Sequence, residues 1–309
     1  MVKKFHFIPL FAIPIIGLIL GSFFDFQINS ALFDRYNGFG IFMAAFGELP
    51  VYAFTGVLAY GFIYLCKTYD KIWQRILLYI LALASVGVGL YYQGEHIVSV
   101  NAYNNKSLLW LGLLIAAVII GLGALAGHFL FKNTDQSPKN ILFILISIVV
   151  VIGFAVLVTQ VVKAIMSRPR FRFIIDYTDD AKFYFCNWWQ SGKSTKEAFV
   201  NKEMLDGVII TKEEFVSFPS GHISNTASFI AIAAYLPLLN SKIRIKQEIL
   251  FYIAFAWVIL LAYTRMRVGA HFLSDVSMGL LINAVGFFVV DFILTRKTNL
   301  VPNKEIVAE

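Results

Sequence analysis

Long apolar runs separated by short polar connectors dominate the chain. Eight such runs stand out, at about 7–24, 49–66, 76–92, 108–131, 141–162, 223–239, 249–264 and 276–294. Built as helices at 1.5 Å per residue, most would be roughly 25–35 Å long, close to the hydrocarbon thickness of a bilayer. A segment crossing lipid must satisfy its own backbone hydrogen bonds, so helix is the expected form. The pattern predicts an all-α fold, a polytopic membrane helical bundle of about eight transmembrane helices. The first run, from Phe7 to Phe24, follows Lys3 and Lys4 as a signal peptide would. It is longer than a signal-peptide core and no small-x-small cleavage site follows, so it reads as an uncleaved span. The stretch 38–48 either lies in the interface or extends the second span.

Composition supports this reading. Hydrophobic residues make up 59% of the chain and charged residues only 15%, against about a quarter in soluble proteins. The net charge of +7 does not point to nucleic acid, because the basic residues sit in short connectors and not along one helix or tail. One set of connectors holds Lys3, Lys4, Lys67, Lys71, Arg75, Lys132, Lys139, Lys242, Arg244, Lys246, Arg296, Lys297 and Lys304; the other, motifs and one long loop aside, holds Arg35 and Lys106. The positive-inside rule then puts both termini in the cytoplasm. With no eukaryotic sorting signal recognised, a bacterial plasma membrane is the expected location. Residues 1–139 read as N-terminal spans, 140–295 as the segment carrying the chemistry, and 296–309 as a cytoplasmic tail.

The long connector 171–217 is rich in aromatics (Phe183, Tyr184, Phe185, Trp188, Trp189) and has two helix-start signals, Ser194-x-x-Glu197 and Thr211-x-x-Glu214. It is read either as an ordered aromatic wedge at headgroup level or as a solvated linker. Gly123-x-x-x-Gly127 allows close helix approach, expected within one chain. Cys66 and Cys186 cannot define a disulfide framework.

Three strings carry candidate chemistry: Lys163-x4-Arg168-Pro169-Arg170, Pro219-Ser220-Gly221-His222, and Arg265-x5-His271-x3-Asp275. Each adjoins a span end, and the predicted topology puts all three on the extracytoplasmic side. His271 and Asp275 lie one helical turn apart, where a carboxylate can fix an imidazole tautomer and leave the other nitrogen free to attack phosphorus. A structural His–Asp pair is the competing reading. Ser220 is a good N-cap, Gly221 permits close backbone approach to a phosphate oxygen, and His222 can protonate a leaving oxygen. An ordinary cap with a snorkelling histidine is the alternative there. Lys163, Arg168, Arg170 and Arg265 are either bilayer-edge anchors or a clamp on phosphate oxygens. His6, His96 and His128 read as structural or loop residues. No HExxH, paired Cys-x-x-Cys or Asp-rich string suggests a metal site, and no cofactor is expected.

These strings resemble the type 2 phosphatidic acid phosphatase family, whose pattern is Lys-x6-Arg-Pro, Pro-Ser-Gly-His and Ser-Arg-x5-His-x3-Asp. Thr264 stands at the serine position and Phe171 at the first proline, with Pro169 two residues earlier. The resemblance implies a six-helix phosphatase core preceded by two extra spans. It implies His271 as nucleophile, Asp275 as its orienter and His222 as general acid. Lys163, Arg170, Ser220, Gly221 and Arg265 would hold the phosphate, with Arg168 an added cation. The function implied is metal-independent hydrolysis of a lipid phosphate or diphosphate, such as an isoprenyl diphosphate, phosphatidic acid or phosphatidylglycerol phosphate. A phosphotransferase using the same phosphohistidine and an alcohol acceptor is the alternative, as is a non-catalytic transporter or scaffold.

Overall fold

In the computed structural model, which describes residues 3–101, 109–202, 207 and 209–297, every long apolar run is helical and no β-strand occurs among the described residues. Eight helical stretches are long and apolar enough to cross a membrane. The first is α1 (Phe7–Leu32); α2 (Gly38–Phe46) and α3 (Leu49–Cys66) together make the second. The stretch 38–48 thus extends the second span, as a separate helix whose start is capped by Asn37 accepting from Gly40 N at 2.9 Å. Then follow α4 (Ile72–Asn101), α5 (Leu109–Lys132) and α6 (Pro138–Met166). The sixth crossing is α10 (Gly221–Thr226) and α11 (Ser228–Tyr235), after the short helices α7 (Phe171–Asp176), α8 (Ala181–Tyr184) and α9 (Lys193–Phe199). A turn of helix, α12 (Ser241–Arg244), leads to α13 (Gln247–Arg267) and α14 (Leu273–Lys297), the last two crossings.

Burial ranks these spans. The apolar window of the sixth is 78% buried, while those of α4 and α5 are 22% buried. Lipid is as apolar as the core, so peripheral helices can turn Phe23, Leu83, Leu122 and Leu157 outward. The sixth crossing is instead ringed by α6, α13 and α14, with Ile223, Ala227, Ala231 and Tyr235 in a core shared with Ile148, Val258 and Phe287. On the N-terminal side, α3 and α5 touch backbone to backbone. A Cβ on Gly56 would stand 2.0 Å from Ile120 O, and one on Gly123 would stand 1.9 Å from Ala53 O. The Gly123-x-x-x-Gly127 face therefore packs within the chain.

The described residues of the connector 171–217 are folded over one end of the bundle. Phe171, Phe173, Ile174, Ile210, Phe215 and Phe272 form a second, smaller core there. Trp188 stacks on Phe218 with ring centroids 5.8 Å apart and donates its Nε1 hydrogen to Ser22 Oγ at 2.9 Å, while Phe183 and Trp189 are exposed. Helix α9 starts before Ser194, and neither Ser194 nor Thr211 caps a helix with its side chain.

Two helices outrun the apolar pattern. α1 continues past Phe24 to Leu32, and α4 past 92 to Asn101. In α1 the polar residues that end the apolar run, Asp25 and Asn29, face inward and find partners, and in α4 His96 Nε2 lies 2.8 Å from Ala44 O. Lys106, Lys304 and residues 298–309 of the tail lie outside the described residues.

Candidate active site

The three strings meet at the end of the bundle covered by the connector. Lys163 is in the last turn of α6, Arg170 is the N-cap of α7, and Ser220 caps α10, whose first turn holds Gly221 and His222. Arg265 ends α13, and Asp275 is in the first turn of α14. The sharp turn between α13 and α14 depends on Gly269, at φ +66°, where a Cβ would also stand 2.6 Å from Phe33 Cε2. Ala270 N and His271 N donate back to Arg265 O at 3.1 and 3.3 Å, tying the histidine to the arginine.

His271 is 1% exposed, and its Nδ1 lies 2.7 Å from the carbonyl oxygen of Ser217. A carbonyl can only accept, so Nδ1 carries the hydrogen and, in the neutral ring, Nε2 keeps its lone pair. Burial, aided by the Arg170 and Arg265 charges and opposed by Asp275, pushes His271 from the ordinary 6.5 down to about 3. The ring is therefore neutral near pH 7. Asp275 stands behind it, its Oδ2 3.8 Å from Nδ1. That is ion-pair range, longer than a hydrogen bond. The same Oδ2 accepts from Ser217 Oγ at 2.5 Å and Phe272 N at 2.7 Å. The tautomer is set by a backbone carbonyl, with the carboxylate supplying negative potential behind the ring.

His222 faces this pair, its ring centroid 6.4 Å from that of His271, with its Nε2 buried and unpartnered. Ser220 Oγ accepts from Ile223 N at 3.4 Å, and Ser220 N donates to Asp275 O at 3.0 Å, which joins the second string to the third. Gly221 lies against Lys163, where an added Cβ would meet Nζ at 3.3 Å. Arg170 and Arg265 each leave a buried Nε without a partner. The structure thus brings Lys163, Arg170, Ser220, Gly221, His222, Arg265, His271 and Asp275 together.

Arg168 is placed differently. It is fully buried and makes four hydrogen bonds: to Cys186 O at 2.8 Å, Ser274 Oγ at 2.8 Å, Asp275 Oδ1 at 2.5 Å and Asp25 Oδ2 at 3.0 Å. Its guanidinium also lies 4.1 Å from the Phe272 ring centroid. With its donors so committed, Arg168 sits behind Asp275 as a support, and not among the cations open to a phosphate. Phe171, where the family pattern has proline, begins α7 at the position that proline favours, after Arg170 with ψ 151°. The backbone keeps the form a proline would impose, and the ring goes into the second core against Phe33 and Phe272.

Several contributors lie outside the strings. Arg172 makes a two-pronged bond to Glu214, at 3.0 and 2.6 Å. Burial works to raise the Glu214 carboxyl, but the bonds and charge of Arg172, with Arg170, hold it below its ordinary value. His96, read from sequence as a loop residue, belongs to α4 and lies 5.0 Å from His222 between ring centroids. An acidic side chain, Glu48, accepts from Asn225 Nδ2 at 2.6 Å, one turn after His222. His6 packs on Phe251, and His128 Nδ1 is 2.8 Å from Tyr60 Oη, both away from the site. Among the described residues no group of three or more His, Cys, Asp or Glu side chains is arranged to hold a metal ion.

Comparison with known proteins agrees with this geometry. Residues 144–297 match the profile of the PAP2 superfamily, and these residues carry all three strings. Over 97 residues the chain is 31% identical to phosphatidylglycerophosphatase B of Bacillus subtilis (strain 168), covering 30% of this chain and 46% of that protein. The chain thus aligns with less than half the length of that relative. No solved structure matches significantly. Through residues 144–297 and the motifs within them, the chain belongs to the PAP2 superfamily.

Proposed function

We propose that the protein is an integral membrane phosphatase that hydrolyses a lipid phosphate or diphosphate at the extracytoplasmic face through a phosphohistidine on His271. The observation that carries the proposal is the hydrogen bond from His271 Nδ1 to Ser217 O, which leaves Nε2 unprotonated beside His222 and the cations. In the first step Nε2 attacks phosphorus, and the bond to the leaving oxygen breaks. That oxygen takes both electrons of the bond and a proton from His222. The imidazole becomes cationic as it is phosphorylated, and Asp275 behind it favours that charge. In the second step His222 takes a proton from water, the resulting oxygen attacks phosphorus, and the P–N electron pair returns to Nε2. The net change is one water consumed and one phosphate released, with an alcohol as the other product from a monophosphate and the lipid monophosphate from a diphosphate. Lys163, Arg170 and Arg265 neutralise the phosphate oxygens as charge develops in the transition states.

A site at span ends suits a substrate whose tail stays in lipid. The relative named for phosphatidylglycerophosphate supports a glycerolipid phosphate as the first to test, with phosphatidic acid and isoprenyl diphosphates beside it. The bias of basic residues among the connectors supports the extracytoplasmic side for the site and the cytoplasmic side for both termini, and a bacterial plasma membrane is part of the same proposal. The test is phosphate release in detergent from this panel, with no added alcohol, for the wild type and His271→Ala. Release by the wild type alone supports hydrolysis through His271. No release without an alcohol acceptor points to a phosphotransferase, and equal release by both proteins contradicts the nucleophile.

A further inference from the structure

We propose that the first membrane crossing is a working part of this centre: Asp25 and Asn29 of α1 are positioning residues for His271 and Asp275. The two lie one helical turn apart on one face of α1, and they are 1% and 0% exposed in a helix whose other faces are largely open to lipid. Asn29 Nδ2 donates to the backbone carbonyl of His271 at 2.9 Å. Asp25 Oδ1 accepts from Ser274 N at 3.0 Å, and Oδ2 accepts from Ser274 Oγ and from Arg168 Nη2, the latter at 3.0 Å. α1 therefore grips the chain at residue 271 and again at residue 274, both just after the turn at Gly269 that presents the imidazole. Small residues permit this approach: a Cβ on Gly21 would stand 2.9 Å from Ser274 N, and one on Gly17 would stand 2.2 Å from Ser277 Oγ.

The carboxylate of Asp25 is not needed to balance Arg168, because Asp275 already does so at 2.5 Å. A second buried carboxylate beside the first carries a desolvation and repulsion cost, so packing alone gives no reason for it. Its geometric effect is to fix the guanidinium. Nη2 is held by Asp25, so Nη1 meets Asp275 Oδ1. Asp275 Oδ2 is then left toward Ser217, Phe272 N and His271. The division of labour between the two oxygens of Asp275 is thus set from α1. This helix lies outside the segment that matches the family, and neither of its residues carries a donor toward the Lys163, Arg170 and Arg265 side of the site.

The inference rests on His271 as nucleophile, and kinetics separate the two. Full-length wild type, Asp25→Asn, Asn29→Ala, His271→Ala and the control Ser30→Ala, an exposed neighbour on α1, are purified in detergent. Each is measured for melting temperature, kcat, KM and single-turnover phosphorylation with the lipid phosphate the wild type hydrolyses best. Positioning predicts that Asp25→Asn and Asn29→Ala lower kcat and the phosphorylation rate by about 10- to 100-fold, the scale of a slightly misplaced reacting group. KM should change by less than about twofold, and Ser30→Ala should match the wild type. Folded variants with undiminished kcat, or with kcat and KM shifted together, overturn the proposal. If Asp25→Asn does not fold, Asn29→Ala decides by the same criterion; if neither folds, the role is structural and the proposal is wrong. Activity surviving in His271→Ala instead overturns the nucleophile assignment, whereas an inactive His271→Ala beside unaffected α1 variants overturns only the role of α1.

Discussion

A histidine attacks phosphorus only while it is neutral, aimed and short of competing protons. His271 meets the first condition through burial, which pushes it down to about 3. The unfolded chain binds a proton at this position near 6.5, and the folded chain does not until about pH 3. The stability linked to this residue is therefore complete above about 6.5 and is lost as pH falls toward about 3. Melting temperatures in detergent should fall across that window for the wild type and fall less steeply for His271→Ala; identical slopes would contradict the assignment. The cations offer a second prediction at this scale. Arg170→Ala or Arg265→Ala should each lower kcat by about 10²–10³, as for removal of one transition-state donor, whereas loss of Arg168 should act through Asp275. Phosphate-release kinetics on the three variants read this out, and an Arg265→Ala enzyme as fast as wild type would remove it from the clamp. The site side chains were legible as three local strings because each motif is short and sits at a span end. The acceptor for His271 was not, because Ser217 contributes its backbone carbonyl and no side-chain pattern marks a carbonyl.

Helices show where apolar patterning works and where it stops. Every span was visible as a run of apolar residues, since lipid selects for side chains and not for partners. Boundaries were less legible at the site end. Asp25 and Asn29 look like the end of an apolar run, yet they remain inside α1 because their partners, Arg168, His271 and Ser274, come from 143 to 249 residues further along the chain. His96 was misread for the same reason: Glu95 and Gln93 beside it suggest a loop, while α4 continues past them toward His222. Elements also carry a packing prediction. Gly56→Ala and Gly123→Ala put a methyl group within 2.0 Å of a facing carbonyl oxygen, so the α3–α5 pair must separate. Each should destabilise the protein by about 1–3 kcal/mol, seen as a lower melting temperature. Gly121→Ala, with open space around it, should leave the melting temperature unchanged.

At the scale of the whole molecule, the strings lie around the connections from the fifth to the sixth and from the seventh to the eighth of the spans found among the described residues, so all three fall at one end of the bundle. The predicted orientation can be tested apart from catalysis. In a background with Cys66 and Cys186 replaced by serine, Ser191→Cys in the connector should react with a membrane-impermeant maleimide on intact cells. Asn133→Cys, between α5 and α6, should react only after permeabilisation; the reverse pattern would place the site in the cytoplasm. The family match covers the C-terminal half, but the proposed site draws on the N-terminal half as well, through Asp25 and Asn29 behind His271 and Asp275, Glu48 on Asn225, and His96 beside His222. The proposed reaction depends on one covalent intermediate. Rapid quenching of the wild type with lipid substrate labelled in its terminal phosphate, followed by peptide mapping, tests it most directly. The predicted result is an acid-labile, alkali-stable phosphate on His271 that is absent from His271→Ala. Label on another residue, or phosphate release that continues in His271→Ala, would contradict it.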